Sequence, residues 1–334
     1  ALGVPATEAQ FDSTIFRSRV LLTQRTLDVD VDLMDRTSDT AFFGVRLQNR
    51  AGHRFPSGYP SRRAFVRLVV RDAFGDTVFV SGDFDGTYEV VGHDAVYEPH
   101  YDVIRQEDQV QIYELVMGDV NGDPTTVLER AKLPLKDNRL VPLGFSTSHP
   151  SYDTTRIAGN VLSDPDFNRT LQNEEGSGTD VVHYHVPLNG TTSALFATAE
   201  VYYQSMPPAW NAEMFGFHSA RIDTFRTMLS ESDGTPILVA SDSVALGPLG
   251  VAQRPVERIT VLPNPTADGT IEIRYRATDV VEVLAVYAAD GRAVPARPDR
   301  RAGGWRLDLP VAAGLYFVHL RVNGAAVLQR VVRQ

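Results

Sequence analysis

Cysteine is absent from the 334 residues of the chain, and its absence excludes several kinds of chemistry. A chain without thiols forms no disulfides, has no cysteine nucleophile, ligates no iron–sulfur cluster and attaches no haem through a Cys-x-x-Cys-His motif. We therefore expect no covalently bound cofactor within this chain. Any haem that works with it must be held by a preceding segment or by a partner.

Long apolar runs and an excess of positive charge are also missing. No apolar run reaches the roughly eighteen residues of a membrane-spanning helix, so the sequence predicts no transmembrane segment. The net charge is −10. Nucleic-acid binding relies on clustered Lys and Arg, and we therefore expect no nucleic-acid partner.

Sequence motifs of covalent catalysis are not found. The chain has no Gly-x-Ser-x-Gly, no glycine-rich phosphate loop and no His-Glu-x-x-His. Nothing in the sequence nominates a carboxylate pair for glycoside hydrolysis, although such partners need only be close in space. The sequence does not decide whether the chain is an enzyme, and the absence of these motifs favours a protein that is not an enzyme.

Residues 1–246 alternate apolar and polar positions over many short runs, which predicts half-buried strands. A pair of strands is expected over 11–35, and one helix within 212–230. The sequence thus predicts an all-β fold, with a large antiparallel β-sandwich body, long loops and one short helix. One sandwich and two subdomains both fit. Residues 247–255, rich in Pro and Gly, are expected to be a linker.

The last part of the chain, 256–334, contains a turn followed by five strand-like runs. The turn is PNPTADG (263–269), and the runs are 270–275, 280–287, 305–309, 315–322 and 325–332. Ala289-Asp290-Gly291-Arg292 between the second and third runs is a hairpin signal.

This order of parts, PNPTADG, VYAADGRAV, LDLPVAAGLYFVHLRVNG and a terminal VVRQ, resembles the type A C-terminal sorting domain of the type IX secretion system. The resemblance implies a seven-stranded Ig-like sandwich, the type IX secretion machinery as a partner, and a secreted or outer-surface location in Bacteroidota-type bacteria. Because the N-terminus, Ala1-Leu2-Gly3-Val4-Pro5, has no signal-peptide pattern, we expect the chain to be a mature form or the C-terminal piece of a longer protein, and we favour the piece.

The body contains four distinctive segments in a fixed order: GHRFPSG (52–58), EPHYDVI (98–104), KDNRL (136–140) and YQSMPP (203–208). Together they resemble the cysteine-free C-terminal region of bacterial multihaem c-type cytochromes, over about residues 30–210. The resemblance implies a β-rich module that covers, docks or assembles haem-bearing segments or subunits. His53 and His100 are the candidate ligands for a haem iron or metal supplied by a neighbour.

Two further sets of side chains have the pattern of metal ligands. His183 and His185 flank Tyr184 on an expected strand, so both imidazoles leave one face, and with Met206 they predict a copper or zinc site. This set resembles the copper half-site of copper-dependent monooxygenases. Asp119, Asn121 and Asp123 alternate around Gly122 and predict a calcium site. Asp164-Pro165-Asp166 has a similar pattern.

Three functions remain as alternatives. The first is an exported, non-catalytic structural or docking module of a multihaem cytochrome electron-transfer system. The second is a copper- or zinc-dependent oxidase or monooxygenase. The third is a carbohydrate-binding or adhesive surface module, favoured by the aromatic residues Tyr88, Tyr97, Tyr101 and Trp210.

Overall fold

The computed structural model describes residues 5–92, 97–170, 172–246, 259–276, 278–289, 292–301, 303–309, 312–322 and 325–334. These residues form an all-β, sandwich-type protein, as the sequence predicts. Strand β5 pairs parallel with β10, and an isolated bridge between Thr266 and Arg333 is also parallel. The strands, in chain order, are β1 (Leu27–Arg36), β2 (Thr40–Asn49), β3 (Arg63–Asp72), β4 (Thr77–Ser81), β5 (Val103–Ile104), β6 (Ile112–Tyr113), β7 (Leu115–Gly118), β8 (Pro124–Thr125), β9 (Leu133–Asp137), β10 (Thr179–Pro187), β11 (Leu195–Gln204), β12 (Ile237–Leu246), β13 (Ile259–Leu262), β14 (Thr270–Tyr275), β15 (Val281–Ala288), β16 (Arg297–Arg301), β17 (Gly304–Asp308), β18 (Gly314–Val322) and β19 (Ala325–Arg333).

Two sheets face each other in the body, the described part of residues 1–246. Sheet 1 has the order β1-β2-β10-β5, and sheet 2 has the order β12-β11-β3-β4 with β6 paired to β3. Alternate residues point into the shared core, such as Phe43, Val45 and Leu47 of β2 and Val66 and Leu68 of β3, all fully buried. Period-two alternation therefore places the apolar side chains on the inner faces, where their burial stabilises the sandwich.

The N-terminal segment is helical. Helix α1 spans Glu8–Arg25 and β1 begins at Leu27, so the pair of strands predicted over 11–35 is wrong in its first half. Thr7 and Gln10 form a capping box, in which the Thr7 hydroxyl accepts the Gln10 N–H and the Gln10 side chain accepts the Thr7 N–H. No residue of α1 is buried. Because no apolar stripe is buried, capping and helix propensity decide this segment.

Two short helices follow β11, so the prediction of one short helix is also wrong. Helix α2 spans Pro208–Phe215 and α3 spans Ala220–Ser230. The helix predicted within 212–230 is divided after Phe215, and the Ser219 hydroxyl caps α3 by accepting the Ile222 N–H. Across the part of the chain that is described, no helix is long and apolar enough to cross a membrane.

A second sandwich, which we call the tail, begins at β13. Its seven strands form the sheets β13-β14-β17-β16 and β15-β18-β19. The apolar residues that alternate along β14 and β18, such as Ile271, Ile273, Val318 and Leu320, are fully buried between these sheets. The five strand-like runs of the sequence correspond to β14, β15, β17, β18 and β19. The expected linker 247–255, and positions 290 and 291 of the expected hairpin, lie outside the described residues.

The tail packs against the outer face of sheet 1. Met34 of β1 forms an apolar cluster with Ala285 and Tyr287 of β15 and Phe317 of β18. Nearby, Nε2 of His319 is 3.5 Å from Oδ1 of Asp32. Sheet 1 is therefore covered on both faces, by sheet 2 on one side and by the sheet β15-β18-β19 on the other.

Candidate functional site

Three of the four distinctive segments meet at one end of the body, where β2 and β11 finish and β3 and β10 begin. Asn49, just before GHRFPSG, donates from Nδ2 to the carbonyls of His53, at 2.7 Å, and Leu140, at 2.8 Å. Phe55 and Leu140 exchange two backbone hydrogen bonds of 2.9 Å. The Phe55 ring stacks on Tyr203 with 6.3 Å between centroids. We call the region where segments 49–58, 136–140 and 203–208 meet, together with the adjoining segment 98–104, the loop junction.

Ion pairs hold the loop junction together. Nη1 of Arg54 lies 2.6 Å from Oδ2 of Asp137, and Nε of Arg139 lies 2.8 Å from Oδ1 of the same carboxylate. The Arg54 guanidinium also lies 5.4 Å from the Phe145 ring centroid. Burial lowers the pKa of Arg54 from its usual value, and the charge of Asp137 offsets part of that effect. These charged groups tie loops to one another inside the protein.

The second segment, EPHYDVI, reaches the loop junction through His100. Nδ1 of His100 accepts from the side-chain amides of Gln111, at 2.8 Å, and Asn138, at 3.1 Å. Backbone contacts fix both amides, because Gln111 Oε1 accepts the Tyr101 N–H and Asn138 Oδ1 accepts the Glu114 N–H. The proton of the neutral imidazole must therefore sit on Nε2.

From Nε2, His100 donates to Asp164 Oδ2 at 2.8 Å. Asp180 lies behind it, with Oδ2 3.9 Å from the same nitrogen and 2.6 Å from the hydroxyl of Tyr113. The side chains of His100, Asp164 and Asp180 are each 1% exposed. Oδ1 of Asp180 is buried and has no hydrogen-bond partner within the described ranges. A carboxylate oxygen without a partner at this depth is costly.

A second group lies beside the first. Nε2 of His183 is 3.1 Å from Oδ2 of Asp166 and 3.9 Å from Oδ1 of Asp102. Asp164 joins the two groups, because its Oδ1 accepts the backbone N–H of Asp166 at 2.9 Å. In each of these two groups, three His or Asp side chains have ligand atoms within 4.8 Å of one another, and the described residues contain no other such group of His, Asp or Glu. We call all six residues the His–Asp cluster: His100, Asp102, Asp164, Asp166, Asp180 and His183.

The crowded carboxylates of the cluster have opposite pKa shifts. Burial, followed by the negative charge of Asp164, raises the pKa of Asp166 and Asp180 well above the usual value. Burial also acts to raise the pKa of Asp164, but the hydrogen bonds from His100 and Asp166 outweigh it and lower that pKa. Asp164 is therefore the carboxylate that carries the charge most readily.

Two cavities flank the cluster. One, of about 410 Å³, is lined by His100, Asp102, Ser163, Asp164 and, from the tail, Arg292. The other, of about 610 Å³, lies between sheet 1 and the tail, with Asp166 on its wall. The tail also contacts the cluster directly, since the Tyr287 and His183 rings meet edge to face at 5.5 Å. The cluster is thus polar, largely buried and next to two cavities that can each hold several water molecules.

The predicted set of His183, His185 and Met206 is divided between different surroundings. Both imidazoles leave the outer face of β10, as the spacing predicts, but His183 lies with Asp102 and Asp166, while the His185 ring packs on Phe42 at 4.9 Å. Met206 follows β11 of sheet 2 and is 38% exposed. The structure gives His183 two carboxylates as neighbours. Ligation by all three predicted residues stays a prediction.

The other predicted ligands stand as follows. His53 is exposed, and its Nδ1 is 2.9 Å from the carbonyl of Arg54. His100 is buried with both nitrogens in hydrogen bonds, so an iron or other metal could bind it only by replacing one of those hydrogen bonds. Asp119 closes its own turn by accepting the N–H groups of Asn121, at 2.7 Å, and Asp123, at 3.0 Å. Haem or metal ligation by His53 and His100, and calcium at Asp119, Asn121 and Asp123, stay predictions.

Sequence reasoning singled out His100 and His183 but did not join them. It noted Asp164 and Asp166 only as a calcium-like pair and took Asp102 only as part of the EPHYDVI segment. Asp180, in a loop-rich stretch just before the expected strand that contains His183, has no sequence signal of its own. Its position among core residues is visible only once β10 is placed between β2 and β5.

Comparison with known proteins adds little to this description. No protein-family model matches the chain, and no curated protein matches its sequence. Among solved structures, a penta-heme cytochrome c552 from Thermochromatium tepidum is similar at 15% identity and a TM-score of 0.40, over 68% of this chain and 41% of that one. HBP35 of Porphyromonas gingivalis is similar at 12% identity and a TM-score of 0.24, over 92% of this chain and 64% of that one.

This chain therefore spans less than two thirds of either of those structures. A biofilm-associated protein BSP domain is similar at 8% identity and a TM-score of 0.20, over 96% of this chain and 55% of that one. Similarities this low say nothing about activity. The chain's own strands and core define its class, an all-β, sandwich-type protein.

Proposed function

We propose that the chain is an exported surface module, not an enzyme, that docks a haem-bearing segment or subunit of a multihaem electron-transfer system. In this proposal residues 1–246 are the docking body, 247–255 a linker and 256–334 a type IX secretion sorting domain. The observation that carries it is the loop junction. The segments that resemble the cytochrome-associated region join to one another through buried hydrogen bonds and ion pairs, which is the arrangement of a scaffold.

An aromatic pair beside the loop junction, with Tyr59 exposed and Trp210 half-buried, supports docking. Tyr59, which is 53% exposed, meets Trp210 of α2 edge to face, with 5.8 Å between centroids. The Ser61 hydroxyl donates to the carbonyl of Ser205 and holds this loop next to YQSMPP. Met206, 38% exposed, lies in the same segment. Aromatic residues and Met are enriched where protein partners bind. We call Tyr59, Met206 and Trp210 the aromatic patch.

Covalently attached haem must come from outside these residues, because the chain has no cysteine. The test is therefore made on material from the native host. The gene product, or the assembly purified with it, should show the absorption bands of c-type haem that shift on reduction. If the pure native assembly shows no such bands, the docking proposal is wrong.

Variants of the aromatic patch localise the contact. Tyr59→Ala and Trp210→Ala should each weaken association with the haem-bearing partner on the order of tenfold or more, as truncation of a central aromatic residue does. Phe74→Ala is the matched control, because Phe74 is 84% exposed in the turn between β3 and β4. Weakening by Phe74→Ala alone would place the partner elsewhere on the body.

The same patch favours one second candidate, a carbohydrate-binding or adhesive surface module. Exposed aromatic side chains offer an apolar body and a polar tip. A glycan array that shows specific binding lost in Trp210→Ala, from a protein that carries no haem partner, would support this candidate against docking.

The sorting role of the tail has its own test. In the native host, wild-type protein should reach the cell surface, and a variant that lacks residues 256–334 should be retained in the periplasm. Protease accessibility on intact cells measures the difference. Normal surface exposure of the deletion variant would remove the sorting role and leave docking untouched.

A further inference from the structure

We propose that Asp102, Asp166 and His183 of the His–Asp cluster bind one divalent transition-metal ion, such as Zn²⁺ or Mn²⁺, at the boundary between body and tail. The three side chains come from the residue before β5, from the loop between β9 and β10, and from β10 itself. They differ from the histidine pair with methionine that the sequence predicts, and they share only His183 with it.

The spacing of the three ligand atoms fits a metal. Ligands about 2.1 Å from an ion lie about 3.0–3.4 Å apart in octahedral or tetrahedral geometry. His183 Nε2 is 3.1 Å from Asp166 Oδ2 and 3.9 Å from Asp102 Oδ1. All three atoms lie within 4.8 Å of one another. Asp102, whose side chain is 20% exposed, would have to move about half an ångström or more toward the other two ligands to bring the set to metal distance.

Charge and surroundings also favour a cation. Four carboxylates and two imidazoles make up the cluster, and Oδ1 of Asp180, buried in the adjoining group, has no hydrogen-bond partner in the described part of the chain. A buried negative group is stabilised by a metal ion as well as by a positive side chain. Asn160 and Ser163 line the cavity of about 410 Å³ beside Asp102, which leaves room for water to complete the coordination.

The ligand types restrict the metal. Two carboxylates and one imidazole suit Zn²⁺, Mn²⁺ and similar ions, whereas copper(I) prefers thiolate and thioether ligands. Two carboxylates also balance a divalent charge when the imidazole is neutral. Ca²⁺ takes six to eight oxygen ligands and should bind this mixed set much more weakly.

A metal here would secure a weak connection in the fold. β5 pairs with β10 over only two residues, through Val103 opposite His183 and Ile104 opposite Tyr184. The Asp102 carbonyl accepts the His183 N–H at 2.9 Å. A bound ion would cross-link Asp102 and His183 a second time, through their side chains. Because Tyr287 of the tail packs on the His183 ring, the ion would also stabilise the docked position of the tail.

The test uses the untagged full chain, stripped with chelator and titrated calorimetrically with ZnCl₂, MnCl₂ and CaCl₂. We expect one Zn²⁺ per chain, weaker Mn²⁺ binding, no Ca²⁺ binding at the same concentrations, and a rise in melting temperature with Zn²⁺. Asp102→Asn and Asp166→Asn should each weaken Zn²⁺ binding on the order of tenfold or more. His185→Gln, on the same face of β10 but outside the group, is the matched control and should bind within about twofold of wild type.

Asp102→Asn should fold normally, because this half-buried position tolerates an isosteric amide. Circular dichroism will verify that weaker binding does not come from misfolding. The proposal is overturned if no Zn²⁺ or Mn²⁺ binds to the folded chain. It is equally overturned if both Asn variants bind as wild type, or if His185→Gln abolishes binding, which would return the site to the histidine pair.

Discussion

Lys136 and Glu114 form an ion pair in which the ammonium is sealed inside the protein and the carboxylate reaches solvent. Nζ lies 2.9 Å from Oε1, and the side chains are 2% and 16% exposed. Nζ also donates to the carbonyl of Ile112 at 2.9 Å. Burial lowers the pKa of Lys136 from its usual value, and the charge of Glu114 opposes that shift.

This asymmetry predicts unequal costs for the two partners. Glu114→Gln leaves a buried ammonium without its counter-charge and should lower the free energy of unfolding by about 3 kcal/mol. Lys136→Met leaves a carboxylate that water can reach, and Asn138 still donates to the Ile112 carbonyl. We expect this variant to lose less than about 1 kcal/mol. Urea denaturation at pH 7 measures both, and equal losses would contradict the assignment.

The carboxylate of Asp137 balances two guanidinium groups, those of Arg54 and Arg139. Asp137→Asn removes the negative charge and leaves both cations largely buried, so we expect a loss of about 3–5 kcal/mol. Asp153→Asn breaks the ion pair with Arg156, in which both side chains are exposed, and should leave the urea midpoint almost unchanged because solvent screens the pair. Urea midpoints that hardly differ between the two variants would mean that the loop junction does not depend on this carboxylate.

Gly82 and Gly75 both have positive φ, +77° and +88°, but only Gly82 is crowded. A Cβ on Gly82 would lie 2.1 Å from the carbonyl oxygen of Val66, whereas nothing lies within 4 Å of a Cβ on Gly75. Gly75→Ala should therefore cost only the backbone strain, about 1 kcal/mol. Gly82→Ala must also move β3 or the following loop, so we expect a larger loss, of about 3 kcal/mol or more. Thermal melts of the pair test the difference.

The hydrogen bonds between the Glu175 carboxylate and the loop that contains Ser146 and Thr147 make the stability of the protein depend on pH. Burial alone raises the pKa of Glu175, but the hydroxyl and N–H of Thr147 and the hydroxyl of Ser146 donate to its carboxylate and hold the pKa below the usual value of 4.5. The folded state binds this proton more weakly than the unfolded state does. The resulting stabilisation is present above about pH 4.5 and is lost as pH falls through the lower folded-state pKa.

We therefore expect Glu175→Gln to be less stable than wild type at pH 7, with the difference shrinking below about pH 4.5. Glu174→Gln is the neighbouring exposed control and should follow wild type at every pH. Urea denaturation from pH 7 down to pH 3 gives the comparison. A Glu175→Gln difference that stays constant with pH would show that the carboxylate charge is not responsible.

Strand positions were predictable where burial is periodic. β11 and β14 alternate along their length, and their inner faces pack into the two large cores. The same alternation misled the prediction over 11–25, because no residue of α1 is fully buried and only Leu22 of the helix is a partly buried side chain packed against the main core. The Thr7 and Gln10 capping box was the available signal.

The candidate site was predictable only in parts. Histidines on an expected strand or loop attract notice, and His100 and His183 were both singled out. Their carboxylate partners are distant in sequence, since Asp164 and Asp166 come from one long loop and Asp180 from β10. Period-two alternation assigns a face to each residue but does not say which loop lies over that face. Only the pairing of β10 with β5 brings Asp102 to His183.

The placement of β2 in the middle of sheet 1, with sheet 2 below it and the tail above it, has a consequence for hydrogen–deuterium exchange. Its amides are paired on both sides, with β1 and with β10, and water reaches them only when at least two layers separate. The slowest-exchanging amides of the chain should therefore lie in Thr40–Asn49. Their exchange rate then reports how often the layered core opens as a whole, because lifting the tail alone leaves the hydrogen bonds of β2 with β1 and β10 in place.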